Sequence, residues 1–364
     1  MNLGYFTMPL HPLGSDYRKN LEQDRQAAVL ADQLGFSEAF FGEHVSDATE
    51  QITSCLMFIA YLASQTSQIK LGSGVLNLPN GHPAAFAAQV AMIDTLLNGR
   101  FIMGIGPGGL ASDWEVFETL DKDRQSMFVE CIDHILAIWE RDAPYDISGE
   151  HWNISTKRTN VSGSGVGTMP KPLQRPHPEI VSTVLSPDSK GLAIAAARDW
   201  HPMSSNYLQT QSLRNHWNNY NVACRANGAA TNPKNWRVVR NIFVANDEES
   251  AVNYAKSADG PYAHNIQQIY EKLSRSGRLA VFKESPDQPE SDLTLPYLID
   301  RLVIAGTPTQ VCDQIVALRE KTGPFGTIVY AGVDWADDKL ARCSMELMAK
   351  SVMPMVNKAV NEGA

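Results

Sequence analysis

The chain has 364 residues, which is long for an ordinary domain but common for α/β barrels that fold as one unit. Its 43% apolar and 20% charged residues exclude a disordered or fibrous protein, and a net charge of −9 without any Lys- or Arg-rich stretch argues against nucleic-acid partners. No apolar run is long enough to span a membrane and no signal-peptide pattern opens the chain, so we expect a cytoplasmic protein with no membrane partner.

The first half of the chain alternates short apolar runs with longer amphipathic segments. This rhythm predicts βα units and a parallel sheet. Strands are predicted at residues 2–7, 39–42, 69–75 and 101–105, and helices at 17–34, 52–65, 83–97 and 127–139.

The second half continues the alternation with two interruptions. Strands are predicted at residues 180–181, 202–204, 238–245 and 327–331, and helices at 191–198, 212–226, 248–256, 308–321 and 339–356. The polar, Gly-rich stretch 146–168 is predicted to be a rim insertion, and residues 274–300, which lack a clear period, a mobile lid. Eight strands with alternating helices fit a closed barrel or a doubly wound open sheet, and periodicity leaves both open.

The cysteines give no sign of a disulfide framework or a metal site. They are five in number, widely spaced and odd in count: Cys55, Cys131, Cys224, Cys312 and Cys343. We interpret those in helix-like apolar patterns as small buried side chains, and we predict no metal.

Polar residues that directly follow predicted strands are the first candidates for chemistry, because α/β barrels carry their active sites at the C-terminal strand ends. Glu43 and His44 follow the second strand, and an imidazole there can exchange a proton near neutral pH. The alternative is a hydrogen-bonded rim histidine without a catalytic role.

Two glycine-containing turns indicate places where backbone approaches a ligand. Gly74-Val75 ends the third strand, and Gly104 to Gly109 follows the fourth. The second turn contains Pro107 and departs from the dinucleotide-binding spacing, so it predicts only a close approach to a flat or anionic group.

A phosphate needs backbone N–H groups at a helix start or a guanidinium. Ser186 and Ser189 lie between the fifth strand and its helix, and Arg124 begins the helix after the fourth strand. The alternative for the serines is an ordinary helix N-cap.

Four motifs in this order resemble the bacterial-luciferase-like flavin-dependent monooxygenases, and the likeness runs from the first strand to the last helix. They are Gly35-Phe36 leading into Gly42-Glu43-His44, Leu71 through Val75 to His82-Pro83, Leu97 to Phe101 leading into Gly104 to Gly108, and Ala305-Gly306-Thr307-Pro308. Residues 9–12 and 106–108 are most similar to the limonene monooxygenase and type II Baeyer-Villiger subgroup.

The resemblance implies a (β/α)8 TIM barrel over residues 1–364 as a single domain. It also implies an FMN cofactor, taken as FMNH2 from a separate NAD(P)H:flavin reductase. Dioxygen and a small apolar substrate, a terpenoid or a cyclic ketone, would be the reactants, and a homodimer the assembly.

The resemblance also carries residue roles. His44 corresponds to the catalytic histidine, and Gly74-Val75 to a non-prolyl cis peptide beneath the flavin ring. The implied cofactor-binding residues are Gly74, Val75, Asn77 at the pyrimidine end, Gly106, and for the phosphate Arg124, Ser186 and Ser189. Light-emitting members carry cysteine where this chain has Gly106, so light emission is not implied.

Two other functions remain open on the same barrel. One is a deazaflavin-dependent dehydrogenase, which moves hydride without dioxygen, and the other is a non-catalytic flavin-binding protein. Oxygen consumption in the presence of FMNH2 separates the monooxygenase from the dehydrogenase. Non-catalytic relatives tend to be shorter and to lack barrel elements, whereas this chain has eight predicted strands, His44 and Arg124.

Overall fold

The computed structural model describes residues 1–362. Its strands are β1 (Asn2–Thr7), β2 (Glu38–Phe41), β3 (Lys70–Ser73), β4 (Leu76–Asn77), β5 (Phe101–Gly106), β6 (Asp146–Ser148), β7 (Asn153–Ser155), β8 (Glu179–Val184), β9 (His201–Ser204), β10 (Arg237–Val244), β11 (Val303–Gly306) and β12 (Thr327–Gly332).

The helices alternate with the strands. They are α1 (Tyr17–Gln33), α2 (Cys55–Leu62), α3 (Pro83–Leu96), α4 (Ala111–Val116), α5 (Arg124–Glu140), α6 (Gly191–Ala197), α7 (Thr210–Ala226), α8 (Glu248–Ala255), α9 (Pro261–Arg275), α10 (Leu295–Leu302), α11 (Pro308–Thr322), α12 (Asp338–Leu347) and α13 (Met353–Glu362). Short 3₁₀ turns span Leu78–Asn80, Pro233–Asn235, Leu279–Phe282 and Glu290–Asp292, and a π-helical stretch spans Met348–Val352.

Eight strands pair in a closed ring. The order β10-β12-β1-β2-β3-β5-β8-β9 returns to β10, because β9 also pairs with β10. The ladders β1–β12, β10–β12 and β9–β10 are parallel, as βα units require. This ring confirms the predicted (β/α)8 barrel and excludes the open sheet.

By contacts between residues the chain divides into two compact units. The first contains residues 1–39, 49–51 and the chain from 182 onward, and the second contains residues 40–48 and 52–181. The single domain expected over 1–364 stays a prediction.

Charged residues of the first unit form an ion pair on the inner face of the sheet. Arg237 begins β10 and Glu38 begins β2, with β12 and β1 between them, yet their side chains meet in two hydrogen bonds of 2.7 and 2.8 Å. Because two strands separate Arg237 from Glu38, their side chains can meet only across the concave face of the sheet. Gly4 leaves room for it, since a Cβ there would lie 3.2 Å from the Glu38 side chain.

A second buried cluster joins the segment after β1 to that after β12. His11 is fully buried, and its Nδ1 lies 2.6 Å from Asp334 and its Nε2 3.3 Å from Asp24 on α1. Burial lowers the pKa of His11, but the two carboxylates outweigh that effect and raise the pKa to about 9.

The structure differs from the predicted elements where the chain lacks a clear period. β11 was not predicted, and it pairs with the second half of β10. The segment 274–300 contains two 3₁₀ turns and the start of α10, and it buries Phe282 fully, so it is more ordered than its composition indicates. Its mobility and its role as a lid stay predictions.

The predicted insertion 146–168 begins with a hairpin. β6 and β7 pair in antiparallel fashion, and turns follow to residue 168. Within residues 1–362, no helix is long and apolar enough to cross a membrane.

Candidate active site

Two predicted site residues of the second unit, His44 and Asn77, line one cavity of about 120 Å³. It lies where β2 and β4 end. Its lining residues are Glu43, His44, Val45, Thr53, Ser54, Asn77, Asn80, Phe86, Asp113 and Phe117. The structure therefore brings His44 and Asn77 together, as the sequence predicted.

His44 is held by a carboxylate that the sequence analysis missed. Its Nδ1 donates to Asp113 on α4 over 2.7 Å, and the two side chains are 11% and 3% exposed. The hydrogen bond to the carboxylate fixes the orientation of the imidazole ring. The pair therefore equips His44 for acid–base work.

Asp113 is kept ionised by its neighbours. Burial raises the pKa of Asp113. Hydrogen bonds from His44 and from the side chain and backbone of Ser46 have the opposite and larger effect, so the pKa lies below its usual value. Ser46 donates to Asp113 Oδ1 through its backbone N over 3.0 Å and also through its hydroxyl, while His44 occupies Oδ2. Both oxygens of the carboxylate are thus engaged.

Glu43 organises backbone in the structure and makes no acid–base pair with His44. One carboxylate oxygen accepts from the backbone N of Asn77 at 3.2 Å, and the other from the backbone N of Cys55 at 3.0 Å. The Asn77 amide donates to the Glu43 carbonyl at 3.2 Å. Glu43 therefore fixes the strand end that carries Asn77.

The peptide bond Gly74–Val75 is cis, as the resemblance implied. In the adjoining β4–β5 ladder, Asn77 pairs with Gly106. A Cβ on Gly106 would come within 2.9 Å of the Val75 side chain. The missing side chain at Gly106 thus makes room for Val75, and contact of these residues with a cofactor stays a prediction.

Arg124 already has several partners within the protein. Its guanidinium donates to the carbonyl of Pro107 and to Thr119, and it lies 4.7 Å from the centre of the Trp114 ring. Its contacts to Asn80 are longer, at 3.4 Å. Burial lowers the pKa of Arg124 to about 10, so it remains charged at neutral pH.

Ser186 and Ser189 lie in the first unit, between β8 and α6. Ser186 is exposed, and its carbonyl accepts from His216 over 2.8 Å. Ser189 accepts from the backbone N of Gly191 over 3.2 Å. That last bond is of the capping type, so both alternatives for the serines, phosphate ligand and cap, remain open.

A larger groove of about 580 Å³ contains none of the predicted site residues. It lies in the first unit at the start of α7, and its lining is polar and charged: Gln209, Thr210, Gln211, Arg214, Glu284, Asp300, Arg301 and Lys321. The smaller cavity contains His44 and Asn77, and it is therefore the candidate active site.

The fold is thus a closed α/β barrel, and its candidate site contains a histidine–aspartate pair. The model of the luciferase-like monooxygenase family matches residues 1–324 of the chain. The chain therefore belongs to this family, and it is an oxidoreductase of the monooxygenase class.

Relatives match almost the whole chain. The 4-hydroxyprotoasukamycin monooxygenase of Streptomyces nodosus subsp. asukaensis is 28% identical, over 99% of this chain and 94% of its own. The limonene 1,2-monooxygenase of Rhodococcus erythropolis is 29% identical, over 98% of this chain and 87% of its own.

A solved structure is similar throughout. It is a type II Baeyer-Villiger monooxygenase, the oxygenating constituent of 3,6-diketocamphane monooxygenase from Pseudomonas putida, in complex with FMN. The TM-score is 0.87 at 26% identity, covering 97% of this chain and 98% of that one. Together with the limonene enzyme, this match confirms the resemblance to that subgroup.

Proposed function

We propose that the chain is the oxygenating component of an FMN-dependent monooxygenase. It would receive FMNH2 from a separate NAD(P)H:flavin reductase, use dioxygen, and oxygenate a small apolar substrate such as a terpenoid or a cyclic ketone. The observation that carries the proposal is the His44–Asp113 pair, which lines one cavity with Asn77. The similar structure from Pseudomonas putida supports it, because that protein is an oxygenating constituent bound to FMN.

The predicted site residues of the second unit are of chemical types that can bind a flavin ring. Asn77 offers an amide for the polar edge of the ring, and the cis bond Gly74–Val75 lies directly before its strand. The cavity of about 120 Å³ is smaller than the roughly 300–1,000 Å³ of ligand sites, so a tricyclic ring would extend beyond it. Phe86 and Phe117 supply apolar walls that help to exclude water.

A bound reduced flavin would supply the electrons that activate dioxygen. The chain itself supplies proton control. His44 would hold or deliver a proton at the cavity, and Asp113 positions its ring. Ser46 keeps the Asp113 carboxylate aligned.

We propose a phosphate role for Arg124, Ser186 and Ser189. A phosphate that recruits Arg124 would compete with the carbonyl of Pro107 and with Thr119 for the guanidinium. The serine hydroxyls would donate to phosphate oxygens. Homodimer formation and location in the cytoplasm also stay predictions.

The test is His44→Ala assayed with reductase, NADH, FMN and a panel of cyclic ketones and terpenes. We expect product formation to fall by about 100-fold or more, because general acid–base catalysis contributes at least that much. NADH consumption would continue, so product per NADH would drop. Asp113→Asn should show a smaller loss of the same kind.

The matched control is His264→Ala, because His264 is exposed on α9. It should leave product per NADH unchanged. If the wild-type chain, supplied with FMNH2 and dioxygen, forms no oxygenated product from any compound of the panel, the proposed reaction is wrong. If His44→Ala retains normal coupling, His44 is not the proton carrier.

A further inference from the structure

The short helix α4 of the second unit buries no apolar side chain. Of its six residues only Asp113 is buried, while Trp114 is half-buried and Val116 is 60% exposed. Isolated helices of this length are not stable in water, and segments with few buried apolar contacts open at low cost in free energy. We therefore expect α4 to detach locally while the barrel stays folded.

Both ends of α4 have backbone that suits a hinge. Gly108, just before the helix, has a φ of +81°, and Leu110 at the N-cap position makes no side-chain hydrogen bond to the helix. Just beyond the other end, Glu118 has a φ of +54°, which is uncommon for a residue with a side chain. Segments that move at enzyme sites pivot on a few loop positions of this kind.

Hydrogen bonds to the segment after β2 hold α4 in place. Asp113 accepts from His44 over 2.7 Å and from the backbone N of Ser46 over 3.0 Å, and it also accepts from the Ser46 hydroxyl. The hydroxyls of Ser46 and Ser112 lie 2.8 Å apart. The buried contact of the helix is thus polar, and its centre is one carboxylate.

A carboxylate is an anchor that can be released at low cost. If α4 lifts, water can solvate Asp113, so that opening exposes no large apolar surface and leaves no buried polar group unpaired. Asp113 and Phe117 also line the cavity that contains His44. Movement of α4 would therefore open one wall of this cavity.

We propose that α4 is a lid on the cavity, that Asp113 is its latch, and that the flavin enters and leaves while the latch is open. Because Asp113 moves with the lid, the His44–Asp113 pair exists only in the closed state. The acid–base pair is thus assembled after the flavin has bound. This inference rests on the proposed function for the identity of the ligand. The segment 274–300, which was predicted to be a lid, belongs to the first unit and has no part in it.

The test is a reversible cross-link between the lid and the segment after β2. Ser46→Cys combined with Ser112→Cys places two thiols where the hydroxyls are 2.8 Å apart, close enough for a disulfide. Of the five natural cysteines only Cys343 is not buried, and Ser112→Cys alone controls for its oxidation. Mass spectrometry of the joined peptides verifies the cross-link.

The probe is oxidised FMN, followed by its fluorescence. Cross-linked empty protein should take up FMN about tenfold more slowly or worse, because a covalently closed lid blocks entry. Protein loaded with FMN before oxidation should retain it through gel filtration, and a reducing agent should restore exchange in both cases. Retention requires a folded protein, so it separates a closed lid from misfolding. Uptake at the wild-type rate, or loss of FMN from the cross-linked loaded protein, would overturn the inference.

Hydrogen exchange tests the latch without a cross-link. In protein without FMN, amides of residues 111–117 should exchange faster than those of β5. Ser46→Ala should accelerate them by about a further tenfold, roughly the effect of one hydrogen bond to a charged group. Glu115→Ala, at an exposed position of the same helix, is the matched control. Exchange of α4 at the rate of β5, or equal acceleration of both in Ser46→Ala, would contradict a separately opening lid.

The outcomes separate this inference from the proposed function. A wild type that exchanges FMN through the latch but forms no oxygenated product would contradict the proposed function and support the lid. A wild type that forms product, while its cross-linked variant exchanges FMN freely, would contradict the lid alone.

Discussion

The fully buried His11 shows how single residues set the pH response of this fold. The pKa of His11 is raised to about 9 in the folded chain, whereas that of a histidine in the unfolded chain is about 6.5. Protonated His11 therefore stabilises the fold fully below about pH 6.5, and this stabilisation is lost as the pH rises through about 9. We expect His11→Gln to lower the free energy of unfolding at pH 7, by up to about 3 kcal/mol for the protonation term. The difference from wild type should shrink towards pH 10, as measured by urea denaturation.

The exposed His264→Gln serves as a control for that measurement. It should follow the wild-type pH curve throughout. Equal slopes for wild type and His11→Gln between pH 7 and 10 would contradict a charged His11 between Asp24 and Asp334.

At the scale of elements, one carboxylate holds the hairpin β6–β7 against α5. Glu130 accepts from the backbone N of Glu150, His151 and Trp152, at 2.8 to 3.1 Å. These bonds lower the pKa of Glu130 against the opposing effect of burial. The insertion predicted from the polar composition of 146–168 is thus anchored at its first turn.

We expect Glu130→Ala to release this hairpin without unfolding the barrel. Amide hydrogen exchange over residues 146–155 should accelerate by about tenfold or more, because several charge-assisted bonds are lost together. Exchange in β1 and β12 should not change. Glu140→Ala, at the exposed end of the same helix, is the matched control. Uniform acceleration across the chain would show that Glu130 supports the whole unit.

The sequence predicted the eight ring strands because each is an apolar run bounded by turn residues. It missed β11, since Val303 follows α10 without a turn and the four-residue strand merges with the helical pattern. His44 was found because it lies just beyond the end of β2. Its partner Asp113 lies 69 residues further along the chain, and only folding brings the two together.

At the scale of the whole molecule, an apolar face on α2 and α3 bears on assembly. Met57 and Tyr61 are 77% and 55% exposed, and Met92 and Leu96 are 62% and 52% exposed. Each pair is spaced i, i+4, and the two helices pack together, so the four side chains cover neighbouring stripes. Exposed apolar patches of this kind mark association surfaces.

We expect Met57→Glu combined with Met92→Glu to convert a homodimer into a monomer, as read by light scattering after gel filtration. Buried charges without partners would make the interface unfavourable. Met355→Glu, an exposed methionine on α13, should leave the mass unchanged. A wild-type chain that is monomeric at micromolar concentration would contradict the predicted dimer.

The hydrogen bonds from Arg124 to Pro107 and Thr119 would affect the rate at which the cofactor exchanges. If the cofactor phosphate binds the guanidinium of Arg124, the loop between β5 and α5 loses these hydrogen bonds when the cofactor binds. It forms them again when the cofactor dissociates. Part of the attraction for the phosphate is then offset by the bonds it displaces, which favours rapid exchange of the cofactor. Rapid exchange of this kind would fit the proposed oxygenating component, which would take FMNH2 from a separate reductase for each turnover.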